Sequence, residues 1–156
     1  MSNFETLTIS SAISGLVGKD FSSIELVEFF INKIENNNDL NCFITNTFER
    51  ALDMAKVSDE KIDKKENRPL EGVPIGMKDL FCTNGTRTTA GSKILENFIP
   101  FYESTVSKNL WDSGAIMLGK TNMDEFAMGS ANTTSFFGNV INPLTPQSDK
   151  EKKLVP

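Results

Sequence analysis

The chain has 156 residues, enough for about one ordinary domain. Hydrophobic residues make up 38% and charged residues 24%, the balance of a soluble globular protein rather than a disordered one. The formal net charge is −5 and no stretch gathers Lys and Arg on one face, which argues against direct nucleic-acid binding by this chain.

The opening MSNFETLTIS has no basic segment followed by an apolar core, so it does not read as a secretory signal. No run approaches the roughly eighteen apolar residues of a membrane span. Cys42 and Cys82 stand apart, without metal-ligand spacing, and suit a reducing cytoplasm better than a disulfide scaffold. The chain contains no histidine. That removes Ser-His and Cys-His pairs and every imidazole zinc site, and leaves Lys, Asp, Glu, Tyr or Cys as the possible bases.

The first sixty-odd residues read as helical. TISSAISGLV places Ile9, Ile13, Leu16 and Val17 on one stripe, with Gly18 as the stop. SSIELVEFFINKIENNN opens with Ser22 and carries Glu25 three residues later, a capping-box pattern. Ile24, Val27, Phe30, Ile31 and Ile34 then repeat at helical spacing until Asn36-Asn37-Asn38 ends the run. NCFITN is short and rich in strand formers. Phe48, Ala51, Leu52 and Ala55 give another amphipathic helix, running into the polar SDEKIDKKEN, read as a solvated helix end and loop.

Residues 1–66 are thus expected to be a helical segment, and residues 67–156 the start of an α/β core in which strands alternate with helices. GVPIGMKDLF is its first strand, TNGTRTTAGS a loop with Asn84-Gly85 as a turn, and ESTVSKNLWDSGA a helix capped near Ser104. In that helix Val106, Leu110 and Trp111 are expected to face inward, with Gly114 at the end. AIMLGKTN is the second strand, and MDEFAMGS starts a further short helix. The tail NPLTPQSDKEKKLVP reads as a loop.

Two lysines end strand-like runs, Lys78 in IGMKD and Lys120 in MLGKTNMDE, each followed closely by an acid, Asp79 and Asp124. Parallel strands bring such ends to one edge of the sheet, where α/β proteins usually keep their sites. Two lysines and two carboxylates there make a site, or else two Lys–Asp ion pairs that hold turns. Lys78 raises the sharper question, because Val73, Ile75, Met77, Leu80 and Phe81 surround it in the sequence. A buried lysine has its pKa pushed down and becomes a usable base; a lysine at a strand end whose ammonium reaches water is the bland alternative. GAIMLGKT meets the glycine-to-lysine spacing of a phosphate-binding loop, but its apolar AIML interior cannot form a flexible cradle of N–H groups. FAMGSANTTSFFGNVINP offers amides and hydroxyls that suit either a small-molecule pocket or a packed surface loop.

PLEGVPIGMKDLF, GTRTTAGSKILENF, ESTVSKNLWDSGAIMLGKTNMDEFAMGS and FFGNVINP together resemble successive motifs of the amidase signature family, from about Pro69 to Pro143. The helical start and GKTNMDEFAMGS resemble the branch that serves as the glutaminase subunit of tRNA-dependent amidotransferases. The resemblance implies a mixed-sheet α/β/α core, incomplete here, and a Ser–cis-Ser–Lys triad with Lys78 as base, kept neutral by burial. It further implies that Met128, Gly129 and Ser130 line the acyl pocket. No cofactor or metal is expected on this chain. In that branch ATP and Mg2+ are used by a partner subunit, which also binds Glu-tRNA(Gln), and the amidase associates with the B and C subunits.

The family's Gly-Ser-rich signature, which carries both serines, follows the region corresponding to KKLVP. The resemblance therefore implies an N-terminal piece with one triad member of three, inactive alone, and neither Ser130 nor Ser135 sits in such a motif. Two other readings remain at this level: part of a stand-alone amidase acting on other carboxamides, and a non-catalytic interaction module.

Overall fold

Thr8 begins the first helix by a reciprocal cap. Its N–H donates to the Ser11 hydroxyl at 2.9 Å, and the Ser11 N–H donates to the Thr8 hydroxyl at 3.2 Å. The computed structural model that shows this describes residues 4–144. The tail from Thr145 on, with its predicted loop, lies outside the described residues.

Two compact units can be distinguished, each assembled from three stretches of chain. The first takes residues 4–35, 47–76 and 105–118 of the described chain. It holds helices α1 (Ile9–Gly18), α2 (Ser23–Asn36) and α3 (Phe48–Asp63). In α1 the inward residues are Ala12, Gly15 and Leu16, while Ile9 and Val17, expected on the inner stripe, are exposed. The reason is Gly15: a Cβ there would meet the Phe21 ring at 2.4 Å, so the helix turns its glycine toward that ring. The residue in left-handed conformation that ends α1 is Lys19 (φ 60), one past the predicted stop at Gly18.

The capping box at α2 is present as the sequence predicts. Ser22 N–H donates to Glu25 Oε2 at 2.7 Å, and Glu25 N–H donates to Ser22 Oγ at 3.1 Å. Asp59 of α3 adds a second anchor by accepting from the N–H groups of Ser23 and Ile24. The polar tract beginning at Ser58 is not merely a solvated end, because α3 continues through Asp63 and buries Ser58 and Ile62. Ile62 joins Ala12, Leu16, Phe21, Leu26 and Val73 in the core of this unit. Glu71, itself buried, accepts from Ser58 Oγ at 2.6 Å and from Arg68 Nε at 2.6 Å.

Helix α4 (Thr105–Asp112) is short. Ser107, Leu110 and Trp111, spaced i, i+3, i+4, are its buried or half-buried residues, and Val106 lies off that face and is exposed, contrary to its expected inward position. Gly114 follows at φ 95, where a Cβ would lie 2.8 Å from the Glu71 backbone.

Three strands form one sheet in the order β1-β3-β2: β1 (Phe43–Asn46), β2 (Pro74–Lys78) and β3 (Ile116–Thr121). In the first unit Ile116 N–H donates to Val73 O, and in the second Asp79 N–H donates to Thr121 O. Both sequences ascend together, so β2 and β3 run parallel. Strand β1 is antiparallel to β3, with Thr45 opposite Lys120 and a bulge between Phe43 and Thr45. The sheet is mixed, the α/β class that the sequence predicts.

The second unit takes residues 36–46, 77–104 and 119–144 of the described chain. Its loops outweigh its regular elements. The helix expected from MDEFAMGS is only a single 3-10 turn over Glu125–Ala127, with Phe126 and Ala127 in left-handed conformation (φ 53 and 59). The Asp124 side chain does not cap that turn and is engaged elsewhere, as described below. No helix among the described residues is long and apolar enough to cross a membrane.

Candidate active site

Strand β2 ends in Met77 and Lys78, Asp79 follows directly, and alternation decides where each points. Met77 and Asp79 are buried, so Lys78 between them projects to the other face and is exposed. The buried lysine anticipated at this position is therefore not Lys78. It is Lys120, on the neighbouring strand β3, which is 0% exposed.

The acids and lysines also pair differently from their order in the sequence. Lys120 Nζ lies 3.8 Å from Asp79 Oδ1, across the two parallel strands, and both side chains are fully buried. The ammonium donates to Phe81 O at 2.5 Å, Thr88 Oγ1 at 2.9 Å and Thr83 Oγ1 at 3.3 Å. Burial pushes Lys120 below the ordinary lysine value, and the Asp79 carboxylate, with smaller contributions from Cys82 and Glu103, partly offsets it. Asp79 is pushed up by burial, against the hydrogen bonds from the Thr89 N–H and hydroxyl and the charges of Lys120 and Arg87.

From Asp79 a hydrogen-bonded framework leads to the loop that carries the other expected site residues. Ala90 N–H donates to Asp79 O, and Phe126 N–H donates to Ala90 O. Ser92 Oγ donates to Glu125 Oε1 at 2.6 Å. Gly91 (φ 66) lets this turn approach closely, since a Cβ there would meet the Met123 carbonyl at 2.7 Å. Met128, Gly129 and Ser130 lie just beyond, all exposed, Met128 at 82%.

Asp124 gives that loop its shape. Its carboxylate accepts from the N–H groups of Asn132, Thr133 and Thr134 and from the Thr134 hydroxyl. Although burial opposes it, this ring of donors holds the carboxyl below its usual range. Gly129 closes over the same carboxylate, where a Cβ would lie 2.5 Å from Asp124 Cγ. Ser135 donates to Asn122 Oδ1 at 2.7 Å and accepts from Phe137 N–H, so its hydroxyl is committed to the loop.

The structure thus joins Asp79 to Lys120, links both to the loop holding Met128–Ser130, and leaves Lys78 presented on the opposite face of its strand. Among the described residues no group of three His, Cys, Asp or Glu side chains is placed to hold a metal ion. Thr83, Thr88 and Thr89 escaped the sequence reading. The signal for them was the set of hydroxyls in TNGTRTTAGS, which composition alone assigns to a loop.

A family model described as Amidase matches residues 25–149. The chain is 55% identical over 150 residues to the A subunit of glutamyl-tRNA(Gln) amidotransferase from Caulobacter vibrioides (strain NA1000 / CB15N), covering 96% of this chain and 30% of that protein. It is similar, at 31% identity and TM-score 0.83, to a solved structure described as a vestigial protein complex that reveals the evolutionary origins of an s-triazine catabolic enzyme, covering 88% of this chain and 31% of the other. It also resembles the crystal structure of the A subunit of glutamyl-tRNA(Gln) amidotransferase from Thermotoga maritima, at 27% identity and TM-score 0.68, over 92% of this chain and 28% of the other. The chain spans about 30% of the length of the curated relatives it matches.

Proposed function

The chain belongs to the amidase family, and from that premise we propose that it forms the N-terminal part of the glutaminase subunit of a glutamyl-tRNA(Gln) amidotransferase. The observation that carries this reading is the 55% identity to such a subunit over nearly the whole chain.

Lys78 is the base of the triad. In the complete protein a nucleophilic serine attacks the carbon of the glutamine side-chain amide and passes its proton to a bridging serine, which passes its own to Lys78. Returned to the departing nitrogen, the proton lets ammonia leave, and water then releases glutamate from the serine ester. The exposed position of Lys78 at the end of β2 supports this role, because the amine is open to a partner group on that face. Met128, Gly129 and Ser130 line the acyl pocket on the loop fixed by Asp124.

The ammonia goes to the B subunit, a partner that binds Glu-tRNA(Gln) and uses ATP and Mg2+ to make Gln-tRNA(Gln), with the C subunit joining the assembly. This chain binds no cofactor of its own, and the complex works in the cytoplasm. The net charge of −5 supports leaving tRNA to the partner.

The test is ammonia release from glutamine by the complete protein, with and without its partners. The expected result is partner-dependent glutaminase activity that falls about a hundred- to ten-thousandfold in Lys78→Ala, the usual worth of a general base. Partner-independent hydrolysis of unrelated carboxamides, with glutamine ignored, overturns the assignment in favour of a stand-alone amidase.

A further inference from the structure

Asp79 and Lys120 are a costly arrangement for a protein to keep. Two fully buried charges lie 3.8 Å apart, and Asp79 Oδ1 makes no hydrogen bond. The three donors of Lys120 are spent on the carbonyl of Phe81 and the hydroxyls of Thr83 and Thr88. Charge, not hydrogen bonding, is what one member gives the other. A buried pair of this kind adds little net stability over well-packed apolar side chains, and an unsatisfied buried acceptor calls for a reason.

The placement supplies one. Asp79 is the chain neighbour of Lys78 and is pinned on three sides: its N–H to Thr121 O, its carbonyl from Ala90 N–H, its carboxylate from Thr89. Lys120 pins the segment beyond, at Phe81 and Thr83. Strand alternation then dictates that Lys78 points to the opposite face. Asp79 alone would set an unbalanced carboxylate one residue from Lys78, and the Lys120 ammonium 3.8 Å from it makes the pair neutral overall.

We propose that Asp79 and Lys120 form a positioning and charge-balancing unit for Lys78, which aims the amine and lets it act as a base. The proposal rests on the reading of Lys78 as the triad's base. Other groups act on the pair electrostatically: Arg87 on Asp79, and Glu103 and Cys82 on Lys120. Lys120→Met leaves Arg87 and the two hydrogen bonds from Thr89 acting on Asp79, and Asp79→Asn leaves Glu103 acting on Lys120, against burial in both cases.

The experiment is the pH dependence of glutaminase kcat/KM in the complete protein with its partners, for wild type, Lys120→Met, Asp79→Asn and the double variant. Lys120→Met moves the acid limb to higher pH, by roughly half a unit to one unit. Asp79→Asn moves it to lower pH, and the double variant, neutral at both positions, returns it to the wild-type position. A structural role alone lowers activity in step with the folded fraction and leaves the limb in place. Shifts in the same direction in both single variants, or losses independent of pH, overturn the proposal. If Lys120→Met fails to fold, Asp79→Asn against the double variant carries the same comparison. A wild type without glutaminase activity, or a fully active Lys78→Ala, would instead sink the reading of Lys78 itself.

Discussion

Glu71 shows how much one side chain can organise. Burial acts to raise its pKa, but the hydrogen bonds from Arg68 and Ser58 and the Arg68 charge outweigh it and hold the carboxyl below the usual range. A depressed carboxyl contributes stability that is fully present above the unfolded value and is lost as pH falls through the folded one. Glu71→Gln is therefore expected to cost about 2 kcal/mol at neutral pH, the scale of hydrogen bonds to a charged group. The deficit should shrink as pH falls below about 4.3, the ordinary value for glutamate. Urea denaturation of both proteins at several pH values checks this, and a deficit constant with pH would contradict it. Neither partner was legible beforehand: Glu71 and Arg68 are three apart in a loop, and Ser58 sat in a tract that charge alone assigns to solvent. Lys78 is the converse case. Its apolar neighbours suggested burial, yet alternation along β2 spends the buried positions on Met77 and Asp79. The burial that the sequence suggested for Lys78 falls instead on Lys120, whose run of apolar residues in β3 lies wholly inside.

At the scale of elements, the helices were legible where a local cap announced them. The N–H groups of Ser22 and Glu25 each donate to the other's side chain as their spacing predicts, and Ser22→Ala should lose about 1 kcal/mol, the typical worth of such a cap. A denaturation midpoint unchanged by that substitution would show that Asp59, which accepts from Ser23 and Ile24, suffices alone. What periodicity missed was the rotation of short helices. Over the eight residues of α4, a shift of one position moves Val106 out and Ser107 in, and apolar character does not resolve which. The parallel pairing of β2 and β3 was readable from strand–helix–strand order. The 3-10 turn at Glu125–Ala127 was not, because it depends on the bonds between Asp124 and amides eight to ten residues away.

At the scale of the molecule, the described residues divide into two compact units, each drawing on three stretches that alternate along the sequence. No break in composition marks such interleaving, since it follows from which strands and helices pack together rather than from where the chain changes character. The candidate site lies in the second unit, and its residues come from segments more than forty positions apart, as Lys78 and Lys120 do. Motif order made the family legible, while contacts such as Asp79 to Lys120 needed three dimensions. We propose that Lys78 is the base of a glutaminase that feeds ammonia to a tRNA-amidating partner. The most direct test of this compares two nitrogen sources in the assembled complex carrying Lys78→Arg, a change that keeps the positive charge but cannot accept a proton. With glutamine, formation of Gln-tRNA(Gln) should fall about a hundredfold or more relative to wild type; with free ammonium, which bypasses the glutaminase, it should proceed at the wild-type rate. Equal formation from glutamine in Lys78→Arg and wild type would show that Lys78 is not the base.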